Sequence, residues 1–167
     1  MSATTNPTLA GVNLHDVTTE KFHTLGAKVT TQDGRVYRYA KNASGTALSA
    51  GAELEANVTT ATALNGGTAG TPAGSRTVAT TTTIATPANY EDGTLVASSA
   101  KHLVSGVVSA QQVSLVDPLD VAVASGASAA NLYANPLAVK VKSAGATVGT
   151  AETAVPAGSY FWAFVSA

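Results

Sequence analysis

Apolar and polar residues alternate most cleanly between Leu25 and Asn42, in LGAKVTTQDGRVYRYAKN. A strand turns successive side chains to opposite faces, so this stretch reads as a β-hairpin. With Gln32, Asp33 and Gly34 as a three-residue loop, and Gly34 in the left-handed position of a type I turn plus bulge, Thr31 pairs with Arg35. That register sets Val29 opposite Tyr37 and Ala27 opposite Tyr39 on one face, leaving Lys28, Thr30, Val36 and Arg38 on the other. A tighter Asp33-Gly34 loop would put Val29 opposite Arg38 and mix the faces, so the bulged register is preferred.

The same alternation marks further strands. Leu137 to Ser143 sets Leu137, Val139 and Val141 against Lys140 and Lys142, and Ala52 to Leu64 has room for one or two strands. Thr77 to Thr86 is β-branched nearly throughout and predicts one strand. Lys101 to Val116 holds two short apolar runs, Asp120 to Ser125 alternates, and GASAANLYANP is irregular, with one helical turn expected. The last segment, VPAGSYFWAFVSA, carries four of the nine aromatic residues (Tyr160, Phe161, Trp162, Phe164) on both faces of a strand. Such a strand is buried on both sides, either at the centre of a sandwich or against a partner chain.

Between these elements the chain is punctuated. Residues 1–24 show neither period and read as an extended arm, while Gly66 to Ser75 is a low-complexity loop or inter-lobe linker. The tetrapeptides SAGA (Ser49, Ser143) and PAGS (Pro72, Pro156) each occur twice, PAGS both times ahead of a strand-like run. The pattern predicts an all-β fold, a β-sandwich or small barrel, with an N-terminal arm at 1–24. Residues 25–167 form either one β domain or two lobes, 25–75 with 136–167 and an intervening 76–135.

Composition thins this core. Of the 167 residues 45% are hydrophobic, but much of that is alanine, and aromatics are 5%. Charged residues are 11%, against roughly 25% in an ordinary domain, so few titratable groups remain from which to build a catalytic centre. A net charge of −1 gives no general attraction to nucleic acid or an anionic membrane. Without cysteine there are no disulfides, thiolate metal sites or cysteine nucleophiles. The first residues lack a basic start and an apolar core, and no run approaches the ~18 apolar residues of a membrane span, so a soluble protein made in the cytoplasm is expected.

Candidate chemistry is sparse. His15, His23 and His102 do not stand at metal-ligand spacing, and no glycine-rich nucleotide loop or G-x-S-x-G elbow exists. Neither a cofactor nor a metal is expected, and no residue is assigned a catalytic role. Glu53 and Glu55 share one strand face and are the one obvious carboxylate pair for a glycan hydrolase, although a solvated face is the simpler expectation. Asp117 and Asp120 flank a Pro-Leu turn that accounts for them. Five of the nine basic residues fall between Lys21 and Lys41. Because Tyr37 and Tyr39 face away from Lys28 and Arg38, stacking and phosphate contact do not coincide, and a protein surface is a better partner than nucleic acid. Asn42-Ala43-Ser44 and Asn57-Val58-Thr59 match the glycosylation sequon by chance in a threonine-rich chain.

The hairpin and the final strand together resemble the small β-rich decoration, or cement, proteins of tailed-bacteriophage capsids, in which an L-G-x-x-V…D-G-x-x-Y-x-Y hairpin opens the domain and an A-G-x-Y-x-W-like strand closes it. The pattern falls on Leu25, Gly26, Val29, Asp33, Gly34, Tyr37 and Tyr39, and on Ala157, Gly158, Tyr160 and Trp162. It covers roughly residues 20–56 and 136–167; the middle is unmatched.

The resemblance implies a non-enzymatic virion protein, assembled in the host cytoplasm, that binds the outer capsid surface and stabilises the shell. Its partners would be the major capsid protein and copies of itself, with a trimer favoured and neither nucleic acid nor membrane involved. Leu14, His15, Lys21, Phe22, Lys28, Arg35 and Arg38 are then the expected capsid contacts. Val29, Tyr37, Tyr39, Tyr160, Phe161, Trp162 and Phe164 are the expected core or subunit interface. A glycan- or receptor-binding head-fibre module is the alternative, with Tyr90 or Tyr133 as exposed aromatics in a groove.

Overall fold

The computed structural model describes residues 12–167. In chain order its strands are β1 (Lys28–Thr30), β2 (Val36–Asn42), β3 (Glu53–Ala56), β4 (Thr62–Gly66), β5 (Thr77–Ala79), β6 (Thr94–Ala97), β7 (Ala100–Ser109), β8 (Gln112–Leu115), β9 (Gly126–Tyr133), β10 (Ala138–Val141), β11 (Gly149–Thr150) and β12 (Tyr160–Ser166). One 3₁₀ turn, Pro87–Asn89, accompanies them among the described residues. The fold is all-β, in two compact units: one runs to Asn57 and resumes at Pro136, and the other is Val58–Asn135. The inserted unit thus begins well before residue 76. Gly66 to Ser75 is no linker but part of that unit, held to it where Thr71 and Val123 exchange backbone hydrogen bonds of 2.8 Å.

In the first unit β2, β10, β3, β11 and β12 pair in a ring that closes through β12 and β2, a five-stranded barrel with β1 on the free edge of β2. The hairpin has the bulged register: Val29 stands opposite Tyr37, the Thr31 N–H donates to the Arg35 carbonyl at 2.9 Å, and Gly34 has φ +85°. Alternation in β2 and β12 then builds two layers. Ala40, Phe161 and Ala163 join Leu54, Val139 and Ala151 in the interior, where small residues suit a narrow barrel. Tyr37, Tyr39, Tyr160 and Trp162 face the other way, under Val12, Leu14, Leu25 and Val29. The second buried face of β12 is therefore covered by the chain's own N-terminal segment. That segment is clamped by Thr18, which exchanges backbone hydrogen bonds with Tyr160 at 3.0 and 2.7 Å. Residues 12–24 of the expected arm lie on the barrel; residues 1–11 fall outside the described residues.

In the second unit β4, β9, β6, β7, β8 and β5 form an antiparallel sheet around Leu64, Val78, Leu95, Val104, Val113 and Leu132. The sheet curls until β4 meets the chain after β5, with Gly67 N–H donating to Ala79 O and Thr81 N–H to Asn65 O, both at 3.1 Å. The strand expected over Thr77 to Thr86 stops at Ala79. The Thr80 hydroxyl donates to Asn65 O at 2.6 Å and accepts the Thr82 N–H at 3.0 Å, so its threonines bend the chain rather than extend it. The expected helical turn in GASAANLYANP is instead β9, with Ala130 and Leu132 buried and Asn131 and Tyr133 outside.

The repeated PAGS has a structural counterpart. Both copies form a β-turn, with Ser159 N–H donating to Pro156 O at 3.2 Å and Ser75 N–H to Pro72 O at 3.4 Å, and with φ +76° at Gly158 and +87° at Gly74. The residue before each proline makes a bridge, Val155 to Leu48 and Thr71 to Val123. Three residues beyond each bridge partner stands another left-handed glycine, Gly51 and Gly126. The strand after each PAGS pairs with the second strand of a hairpin, β12 with β2 and β5 with β8. One supersecondary unit occurs twice, in permuted chain order. No atom lies within 4 Å of a methyl group built on Gly74 or Gly158, so Gly74→Ala and Gly158→Ala carry the left-handed backbone cost alone. Each should lower stability by about 1–2 kcal/mol in denaturant titration.

Candidate functional site

The expected contact residues divide by what holds them. Leu14 is half-buried against the aromatic layer, and Arg38 donates to Gly26 O at 2.8 Å, so both are engaged within the chain. Arg35 is exposed and pairs with Asp33 at 3.1 Å. The Thr31 hydroxyl, hydrogen-bonded to Asp33, and then the Arg35 charge hold that carboxyl below its usual range. His15 and Lys28 are exposed and Lys21 is half-buried. Phe22 is 64% exposed, although its N–H donates to the Tyr39 hydroxyl at 3.2 Å. Of the expected core set, Val29, Tyr37, Tyr39, Tyr160, Phe161 and Trp162 are buried and Phe164 half-buried. Burial pushes the Tyr37 hydroxyl up.

Beside Phe22 lies a recess of about 270 Å³, lined by Val12, Asn13, Asp16, Thr18, Phe22, His23, Tyr39 and Trp162. His23 meets Tyr39 edge-on at 5.1 Å and Trp162 at 5.2 Å, and Tyr39 and Trp162 are themselves 5.1 Å apart. Opposite in chemistry stands an Asx-type turn, in which Asn13 Oδ1 accepts the His15 N–H at 3.1 Å and Asn13 Nδ2 donates to Asp16 Oδ1 at 2.8 Å. In the second unit a groove is lined by Thr94, Val96, Lys101 and Tyr133, with Tyr133 45% exposed. Tyr90, expected to be exposed, is buried, its hydroxyl 2.7 Å from that of Thr62.

No family model, no curated protein and no solved structure matches the chain. The site must be read from its own geometry.

The carboxylate pair separates. Glu53 is exposed and meets Lys142 at 3.6 Å, whereas Glu55 is buried, contrary to a solvated face. Loop 143–145 folds over it: Gly145 and Ala144 N–H groups donate to Oε2, the Ser143 hydroxyl donates to Oε1 at 2.9 Å, and Lys140 lies 3.3 Å away. The Gly145 hydrogen bond is the largest of the effects that bring the Glu55 carboxyl from 4.5 down to about 2. A depressed carboxyl stabilises the fold above its unfolded value and loses that contribution as pH falls through the folded one. Glu55→Gln should therefore lower the melting temperature at pH 7, and the gap from the parent should close between pH 4.5 and about 2. A gap that stays constant with pH would refute the carboxylate's role.

His102 is buried on β7 with no partner for Nε2 among the described residues. Those residues contain no cluster of three or more histidine or carboxylate side chains able to hold a metal. Among the described residues no helix is long and apolar enough to cross a membrane. From the sequence His23 carries no metal-ligand spacing and Asn13 and Asp16 carry no role, because only the fold-back of residues 12–24 brings them to Tyr39 and Trp162. The N-x-x-D spacing of Asn13 and Asp16 was the available signal.

Proposed function

We propose that the protein is a structural virion protein that binds the outer surface of a capsid lattice and braces the major capsid protein shell, acting as a homo-oligomer, with a trimer favoured. The observation that supports it most is Phe22. A large apolar ring left 64% exposed, on a segment clamped to the barrel through Thr18 and Tyr160, is placed as an anchor for a partner. Burying such a ring contributes about 1.5–3 kcal/mol. His15 and Lys28, two of the expected contact residues, are likewise exposed.

Deleting residues 1–24 would uncover Tyr39 and Trp162, so a point variant is the cleaner test. Phe22→Ser should reduce co-sedimentation with capsids of the encoding virus at least tenfold while leaving the melting temperature within a degree or two. Unchanged binding would remove Phe22 from the interface, and a parent that ignores capsids would remove the reading.

One observation favours a second reading, glycan or receptor binding on the virion surface: the exposed Tyr133 ring stands in a groove beside Lys101 and Thr94. An aromatic face with polar neighbours suits a sugar ring. Glycan-array hits lost in Tyr133→Ala would support it; an array without hits would end it.

A further inference from the structure

We infer that the recess beside Phe22 is a receptor for a basic side chain, arginine or lysine, presented by a protein partner. The lining has two chemistries. Phe22 and His23 supply most of the ring surface, over the buried edges of Tyr39 and Trp162, and Asp16 supplies the one carboxylate. Asn13 holds Asp16 Oδ1 at 2.8 Å, and Oδ2 has no hydrogen-bond partner among the described residues. The carboxylate is thus positioned but not consumed.

A basic side chain matches both halves. Its aliphatic stem packs on rings while its head meets a carboxylate, and the π-systems add attraction for the cation. About 270 Å³ accommodates one such side chain and little more. Lys21 and Lys41 lie outside the lining, and Lys41 Nζ sits 5.0 Å over the Tyr160 ring. A neutral sugar would also stack on the rings and donate hydroxyls to Asp16, but it would bring no counter-charge to the carboxylate. That the partner is the capsid protein rests on the proposed function; the recess chemistry does not.

Trp162, the chain's single tryptophan, lines the recess, so its fluorescence is a built-in reporter. The full chain is titrated with N-acetyl-arginine methylamide and, in parallel, with the uncharged isostere N-acetyl-citrulline methylamide. A saturable change in the millimolar range is expected for the arginine compound, at least tenfold weaker for citrulline and for the Asp16→Asn variant. No saturable change, or equal response to both compounds, overturns the inference, as does tighter binding of methyl glycosides. Should Asp16→Asn fail to fold, the comparison of the two compounds on the parent still decides. Capsid co-sedimentation, run alongside, separates the two ideas. Capsid binding without arginine binding sinks the recess alone, and arginine binding without capsid binding sinks the capsid reading alone.

Discussion

Gly66→Ala is expected to disrupt the second unit while sparing the barrel. A methyl group built on Gly66 stands 1.8 Å from the carbonyl oxygen of Ala124 and 3.0 Å from Cα of Ser125, so backbone rather than a flexible side chain must give way. Gly66 is also where the sheet curls closed: it pairs with Gly126 of β9 and bridges to Thr80 beyond β5. Moving it opens both contacts together. Overpacking of this kind costs about 1–3 kcal/mol, and the backbone clash places the variant at the upper end, on the order of 3 kcal/mol. Trp162 belongs to the first unit, so its fluorescence should melt near the parent temperature while amides of β4, β5 and β9 lose exchange protection. Gly45→Ala, with nothing within 4 Å and an ordinary φ, is the control and should fall within about 0.5 kcal/mol. Equal protection in the Gly66 variant and the control would contradict the close approach.

Legibility in the sequence followed how local the determining physics was. The β1–β2 hairpin could be registered because turn chemistry and alternation sit within eighteen consecutive residues, Leu25 to Asn42. The two-sided burial of β12 was equally readable from its aromatics. What covers the second face was not, because Val12 and Leu14 reach Tyr39 and Trp162 only through a fold-back that no local period encodes. Thr77 to Thr86 misled because β-branching favours a strand, whereas the Thr80 and Thr82 hydroxyls found backbone partners at Asn65. Glu55 looked like half of a solvated pair. Its burial depends on loop 143–145, far along the chain, supplying N–H groups. The recess combines the two difficulties: Asn13 and Asp16 are a local signal, and the rings they face are distant.

Asn42→Ala should be among the costliest single changes in the first unit, although the sequence shows it only as the last residue of the hairpin stretch and part of a chance sequon. The side chain is fully buried and uses both ends. Its Nδ2 donates to Thr46 O at 2.9 Å, Val155 O at 3.1 Å and Pro156 O at 3.2 Å, while Oδ1 accepts the Ser44 N–H at 3.2 Å and the Ser44 hydroxyl at 2.7 Å. It thereby ties the end of β2 to the segment leading into the PAGS turn, where Gly158 N–H donates to the Asn42 backbone carbonyl at 2.8 Å. Truncation leaves a cavity and removes partners from several backbone groups at once. Each buried group left unsatisfied costs about 1–3 kcal/mol, and since some regain water the net loss should be about 3–4 kcal/mol. Asn42→Asp discriminates between packing and hydrogen bonding. It keeps the volume and the acceptor for Ser44, but it turns a carboxylate oxygen towards three carbonyls. If the amide donors matter, Asn42→Asp at pH 7 will destabilise at least as much as Asn42→Ala and will recover part of its stability on acidification, as the buried carboxyl takes up a proton and becomes a donor. Chemical denaturation followed by Trp162 fluorescence at pH 7 and pH 4 measures both effects. An aspartate variant as stable as the parent at pH 7 would show that the clamp holds by shape alone.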